Sequence, residues 1–279
     1  MASYTTKKVK TGKFNSFYCE GGETNKDTII LLHGSGPGAN GESNWSRVMQ
    51  VLGEKFHVIA PDMVGFGNTD LPQNTKMTFW EWTTARVEQI LEIMDYNKIE
   101  KAHLIGNSMG GFVSLSALLY DETRFDRVVL MGSGGGALSG GPTPEIVRMT
   151  NFYKDPTIQA FRNLVSWFMY DESVVAEDFE RIVQTRYEIM MRPEVRKLYP
   201  TLFPAMPQEL VIPPSALKRI KQPVLLIHGY EDRFVPKEGS LSLLEHIPNA
   251  ELVLLKQCGH WAQIERFDRF IQLVEQFLS

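Results

Sequence analysis

One pentapeptide constrains this chain more than any other stretch. Gly106-Asn-Ser-Met-Gly110 joins an apolar run, Ala102 to Ile105, to a segment from Met109 to about Tyr120 that reads as a helix. A strand turning directly into a helix puts Ser108 at the corner in a strained backbone conformation. A side chain at Gly106 or Gly110 would strike the neighbouring strand or helix. The spacing G-x-S-x-G in this strand–turn–helix setting holds a serine hydroxyl above the edge of a sheet, close to the positive end of a helix dipole. Ser108 is therefore the candidate nucleophile; the bland alternative is an ordinary tight turn.

The flanking pattern supplies a sheet for such a corner. Residues up to about Gly22 read as a hairpin of two short strands. Thr28 to Leu32 is a continuous apolar run, the mark of a strand buried on both faces; Phe56 to Ala60 and Arg127 to Met131 read as further buried strands, and the sheet resumes at Pro223 to His228 and Ala250 to Leu255. Helical periodicity separates several of them. Thr78 to Met94 opens on a capping box, Thr78 with Glu81, a helix runs to about Ile247, and Phe267 to Leu278 closes the chain. This alternation predicts an α/β fold, a mostly parallel central sheet flanked by helices. It breaks at Gly132. Gly134-Gly-Gly136 and Ser139-Gly-Gly-Pro142 read as a hinge, and from Pro144 to about Leu217 the pattern is helical, rich in Met and aromatics, and interrupted by prolines. The expected organisation is a core of residues 1–133 and 218–279 carrying a helical lid, 134–217, that has its own small core and meets the site with apolar side chains.

Composition narrows the function. At 279 residues with 43% hydrophobic and 22% charged, the chain has the make-up of an ordinary globular protein. A net charge of −4, with no dense basic block beyond Lys7-Lys8-Val-Lys10, argues against nucleic acid or an anionic membrane as partner. No apolar run approaches a membrane span, and the N-terminus lacks the apolar centre of a signal peptide. Cys19 and Cys258 make neither a disulfide framework nor a metal cluster, so no metal is expected and the reading is cytoplasmic.

A serine hydroxyl needs a base, and the base an orienting acid. Of six histidines, His57 and His103 sit in strands, His228 precedes a glycine turn, His246 lies near a helix end, and His33 opens a glycine loop whose shape it can hold by hydrogen bonds. His260 alone lies in a loop after the final strand, beside Gly259, and is the candidate base. Asp232 lies just past a buried strand on the edge where functional loops collect, with Glu231 as the fallback acid. Asp62 follows a strand that precedes the nucleophile, which suits a structural role. An oxyanion would find one donor in the N–H of Met109 and a second in the His33-Gly-Ser-Gly-Pro-Gly38 loop, at the N–H of Ser35. That loop lacks the Lys-Ser/Thr of a P-loop and the spacing of a dinucleotide fold, so no cofactor is expected.

With these residues in place, the chain resembles the α/β-hydrolase superfamily along nearly its whole length. Within it the chain is similar to the meta-cleavage-product hydrolases of bacterial aromatic degradation. The resemblance rests on His33-Gly-Ser-Gly-Pro-Gly-Ala39, Asn44-Trp45, Pro61-Asp-Met-Val-Gly-Phe-Gly67, Gly106-Asn-Ser-Met-Gly-Gly111 and Gly259-His-Trp-Ala-Gln-Ile-Glu265. It implies a small-molecule dienol substrate, a 2-hydroxy-6-oxohexa-2,4-dienoate split by water at C5–C6, and a homo-oligomer. It also implies substrate-binding roles for Asn44, Asn107, Trp261 and a lid arginine matching Arg192 in Met190-Met-Arg-Pro193. The alternatives are a helix cap at Asn44, core packing at Trp261 and a surface position for Arg192. The Ser35 loop and the Arg192-Pro193 context lean toward the branch of the family that takes hydrogen or alkyl at C6. Two rival functions stay open: a carboxylesterase using the same three residues, and a ligand sensor built on the same fold.

Overall fold

A computed structural model describes residues 2–138 and 140–279. Its strands are β1 (Tyr4–Lys10), β2 (Asn15–Gly21), β3 (Thr28–Leu32), β4 (His57–Pro61), β5 (Ala102–Asn107), β6 (Phe125–Met131), β7 (Val224–Gly229) and β8 (Ala250–Leu255). They form one sheet in the order β1-β2-β4-β3-β5-β6-β7-β8. The N-terminal hairpin pairs antiparallel and joins β4 antiparallel; every later pairing is parallel. The pleat explains the apolar runs: Ile30, Leu32, Leu104 and Val128 belong to one buried cluster, while Ile29, Leu31, Ile105 and Val129 belong to another.

Helices α1 (Gly41–Leu52) and α11 (Phe267–Leu278) cover the second of these faces through Trp45, Met49, Phe270 and Val274. Helices α2 (Phe79–Tyr96), α3 (Met109–Tyr120) and α9 (Lys237–His246) cover the first. The predicted capping box of α2 is present, with the Glu81 N–H donating to Thr78 Oγ1 at 3.3 Å and the Thr78 N–H to Glu81 Oε2 at 2.7 Å. A helix beginning at Asn44 is one reading of the sequence, but α1 begins earlier, at Gly41. Its start is disguised by the glycine loop: Asn40 is the N-cap, boxed with Ser43 rather than Glu, and the first helical residue is Gly41. A Cβ at Gly41 would lie 2.4 Å from the Ala60 carbonyl oxygen, so close packing on β4 dictates glycine there.

Between β6 and β7 run α4 (Pro144–Thr150), α5 (Ile158–Ser166), α6 (Phe179–Met191), α7 (Pro193–Leu198) and α8 (Pro214–Leu217). Pro144, Pro193 and Pro214 each begin a helix, where a missing N–H costs nothing. Ser139, part of the hinge read from sequence, lies outside the described residues. The helical insertion does not keep a separate core. Its Phe152, Phe161, Val183 and Met190 belong to the same buried cluster as Leu32 and Leu104 of the sheet, because Phe168, Tyr199 and Leu202 reach down into the main body. The short α10 (Ala262–Glu265) precedes α11. Among the described residues, no helix is long and apolar enough to cross a membrane.

Candidate active site

The corner between β5 and α3 has the strain its sequence implies. Ser108 sits at φ 56° and ψ −115°, a conformation that costs a non-glycine residue about 1–3 kcal/mol. Neighbouring backbone holds it there. The Ser108 N–H donates to Met131 O at 2.9 Å, and its carbonyl accepts from Gly111 (3.0 Å), Phe112 (3.2 Å) and Gly134 (3.2 Å). A Cβ at Gly106 would lie 2.4 Å from Gly110 O, and one at Gly110 would lie 2.2 Å from Leu32 O. Ser108 is half-buried, while the residues on either side of it are buried.

His260 and Asp232 meet from two different loops. The Nδ1–H of His260 donates to Asp232 Oδ2 at 2.6 Å, and both side chains are almost fully buried. The other carboxylate oxygen accepts the N–H of Phe234 (2.8 Å) and of Val235 (3.0 Å). Burial alone would raise the Asp232 carboxyl; the charges of His260 and His228 and these hydrogen bonds outweigh it and hold the group below its ordinary value. Glu231 is turned elsewhere: its Oε2 accepts the Cys258 N–H at 3.1 Å. His228, read from sequence only as the residue before a glycine turn, lies four residues before Asp232 at the adjoining strand end. It is fully buried, its Nε2 lies 3.5 Å from Asp232 Oδ2 and 2.9 Å from Val235 O, and its Nδ1 meets Ser240 Oγ at 2.7 Å.

The glycine loop packs directly on the nucleophile. A Cβ at Gly34 would lie 2.9 Å from Asn107 Oδ1 and 3.2 Å from Ser108 Cβ. His33 holds the loop: its Nδ1–H donates to Gly34 O at 2.7 Å and its Nε2 accepts the Met63 N–H at 3.0 Å. Burial pushes this imidazole down to about 3, so it stays neutral. Tyr199 Oη donates to Ser35 O at 2.9 Å, which turns that peptide's carbonyl toward the insertion. Met109 is the first residue of α3, where a backbone N–H is left over by the helix.

Ser35, Asn44, Asn107, Ser108, His260 and Trp261 line one cavity, together with the apolar Ile146, Met149, Phe168 and Phe234. Asn44 does not cap α1; Asn40 does, and Asn44 is buried one turn further on, its Nδ2 3.3 Å from Asn107 Oδ1. Trp261 both packs and lines the cavity, stacked on Phe168 at 4.7 Å. Arg192 is not brought to this cavity. It is exposed where α6 gives way to α7 and lines a separate cleft with Met190 and Glu194. Arg186 does not line the cavity either, but it packs behind two residues that do, Trp261 and Gly36. It is 4% exposed, its guanidinium lies 4.9 Å from the Trp261 ring centroid, and its N–H groups reach Pro37 O (3.4 Å) and Ser43 Oγ (3.3 Å). Helical spacing carries this correction: Phe179, Val183, Arg186 and Met190 form the buried stripe of α6, whereas Arg192 lies past its end. Among the described residues no group of His, Cys, Asp or Glu is arranged to hold a metal ion.

Residues 29–273 match the model of the alpha/beta hydrolase family. A 2-hydroxymuconate semialdehyde hydrolase from Pseudomonas sp. strain CF600 is 34% identical over 90% of this chain and 86% of its own length. A 2-hydroxy-6-oxo-2,4-heptadienoate hydrolase from Pseudomonas putida is also 34% identical, over 90% of this chain and 88% of its own. Among solved structures, the 2-hydroxy-6-oxo-6-phenylhexa-2,4-dienoate hydrolase from Rhodococcus sp. strain RHA1 superposes with a TM-score of 0.95 at 40% identity, covering 100% of this chain and 99% of that one. The meta-cleavage product hydrolase from Pseudomonas fluorescens IP01 gives 0.87 at 36% identity, covering 98% and 97%. The strained serine corner, the parallel sheet beneath it and these likenesses over the full length place the chain in the alpha/beta hydrolase family, among its meta-cleavage-product hydrolases.

Proposed function

We propose that this hydrolase cleaves the C5–C6 bond of a 2-hydroxy-6-oxohexa-2,4-dienoate bearing hydrogen or a small alkyl group at C6, with Ser108, His260 and Asp232 as its catalytic triad. The observation that carries the reading is the shared cavity: nucleophile, imidazole, two asparagines and an aromatic wall converge on one space. Asp232 occupies Nδ1 of His260, leaving Nε2 to take the Ser108 proton. The N–H groups of Met109, at the start of α3, and Ser35, in the loop packed on Ser108, serve as donors to the developing oxyanion.

Carbon–carbon cleavage expels a carbanion, so the dienol must first become a ketone able to accept the electrons. Arg186, a buried cation beside Trp261, is the group suited to the substrate carboxylate and enol oxygen, with Asn44 and Asn107 as neutral hydrogen-bonding partners. Serine attack on C6 then gives a tetrahedral intermediate, and water releases the acid. The helical insertion acts as the lid, contributing Ile146, Met149 and Phe168 to the cavity wall. The buried free thiols of Cys19 and Cys258 support a cytoplasmic setting.

The test is a kcat/KM series over dienols with hydrogen, methyl and phenyl at C6. The small substituents should be preferred by at least about tenfold, the scale of a few methylenes in a closed pocket. A preference for phenyl, the substrate named for the Rhodococcus relative, would overturn the assignment of the C6 group.

A further inference from the structure

The loop that carries His260 is fastened to the helical insertion through one buried carboxylate. Glu265, on α10, is 8% exposed. Its Oε1 accepts the Gly259 N–H at 2.8 Å, and its Oε2 accepts the N–H of Tyr170 at 2.7 Å and of Asp171 at 3.4 Å. Gly259 immediately precedes His260; Tyr170 and Asp171 belong to the insertion. A second bond runs the other way, from the His260 N–H to Phe168 O at 2.7 Å. The two backbones approach so closely that a Cβ at Gly259 would lie 2.8 Å from both Phe168 O and Tyr170 N. The same insertion segment places the Phe168 ring between Phe234, at 3.8 Å, and Trp261, at 4.7 Å, both of which line the cavity.

Asp232 fixes the far side of the imidazole, but the backbone of His260 hangs on a loop whose own ladder partners end at β8. From these contacts we infer that Glu265 is a positioning residue: it sets where His260 stands relative to Ser108 by holding Gly259 and the 168–171 segment on the two oxygens of one carboxylate. An amide cannot replace it. Glutamine offers one acceptor oxygen, and its NH₂ group would face a backbone N–H on the other side. The consequence falls on proton transfer rather than on substrate binding, because Glu265 does not line the cavity. This inference rests on the triad assigned above, so its test uses probes that need only a working serine and histidine, not the dienol.

The full-length protein and its Glu265→Gln variant are compared on p-nitrophenyl acetate, and Ser108 is titrated with a fluorophosphonate. The expected result is a fall in kcat of about tenfold or more, the scale of a small displacement of a reacting group, with KM held within about twofold. Fluorophosphonate labelling should slow by the same factor. Should Glu265→Gln lack a cooperative unfolding transition, Glu265→Asp carries the same test, since it keeps the charge but draws the carboxylate back by one methylene. Unchanged kcat with lowered thermal stability, or a loss carried by KM, overturns the inference alone. A wild-type protein inert to both probes removes the serine–histidine reading and this inference with it.

Discussion

The guanidinium of Arg186 lies 4.9 Å from the centre of the Trp261 ring, and both side chains are buried beside the loop that follows His33. Among the described residues no carboxylate pairs with Arg186, and burial pushes its value down to about 10. A dienol carboxylate would supply the missing charge. Arg186→Met, which keeps most of the volume, should lower kcat/KM for the dienol by about 10²–10³, the loss expected for a desolvated charge pair. It should change p-nitrophenyl acetate turnover by less than about tenfold, since that substrate has no carboxylate. Arg192→Met should leave both within about twofold, as expected of an exposed side chain outside the cavity. Steady-state kinetics on the two substrates decides the matter, and equal effects at the two arginines would contradict it.

The serine corner should be intolerant of a single methyl group. Gly110→Ala would drive a Cβ to within 2.2 Å of the Leu32 carbonyl oxygen, and the atoms it meets are backbone, which cannot swing aside. Destabilisation of about 3 kcal/mol or more is expected from urea unfolding, at the upper end for overpacking. By contrast, Gly141→Ala has open space around its Cβ and should cost less than about 1 kcal/mol.

Much of this was legible in the sequence, and the reasons are local. Ser108, Gly106 and Gly110 announce themselves because only glycine fits beside a strained serine between a strand and a helix. Asp232 follows from lying just past a buried strand, and His260 from lying in the loop after the last one, on the edge where this sheet's loops gather. Arg186 was hidden because an exposed and a buried arginine look alike until helix phase is tracked; the stripe Phe179, Val183, Arg186 and Met190 was the available signal. The start of α1 was hidden for the opposite reason, its first glycine and Asn40 cap merging into the loop before it. His228 and Glu265 could not be read at all. Val235, Tyr170 and Gly259 meet them through backbone groups that carry no residue identity, and Ser240 meets His228 from a helix twelve residues on.

Acid should weaken the fold through His33. Its folded value is about 3 against an ordinary 6.5. Between those limits the unfolded chain holds a proton that the native state does not, so the stabilisation is complete above about pH 6.5 and is lost as pH falls toward 3. The contribution is on the order of a few kcal/mol. His33→Gln removes this ionisation and can still accept the Met63 N–H, but leaves Gly34 O without its Nδ1–H donor, at a cost of about 1–3 kcal/mol at neutral pH. Its stability should therefore start lower but decline less steeply from pH 7 to pH 4 than that of the wild type. Urea midpoints across that range measure the two slopes, and parallel curves would contradict the assignment.

Asp232→Asn would keep the shape of the pair but remove the charge that orients His260 and stabilises its protonated form. A loss of about 10³–10⁴ in kcat is expected, as for comparable triads. The Glu231→Gln variant, whose carboxylate accepts the Cys258 N–H rather than orienting His260, should lose far less. Single-turnover rates of the two variants separate an acid that serves the imidazole from one that only shapes its loop.

The most direct measurement follows the yellow dienolate of 2-hydroxymuconate semialdehyde by absorbance after mixing with purified protein. The wild type should bleach it within seconds at micromolar enzyme, yielding formate and a 2-hydroxypentadienoate, while Ser108→Ala should bind the dienol and leave its colour. A dienolate that persists with the wild type while p-nitrophenyl acetate turns over rapidly would contradict the account.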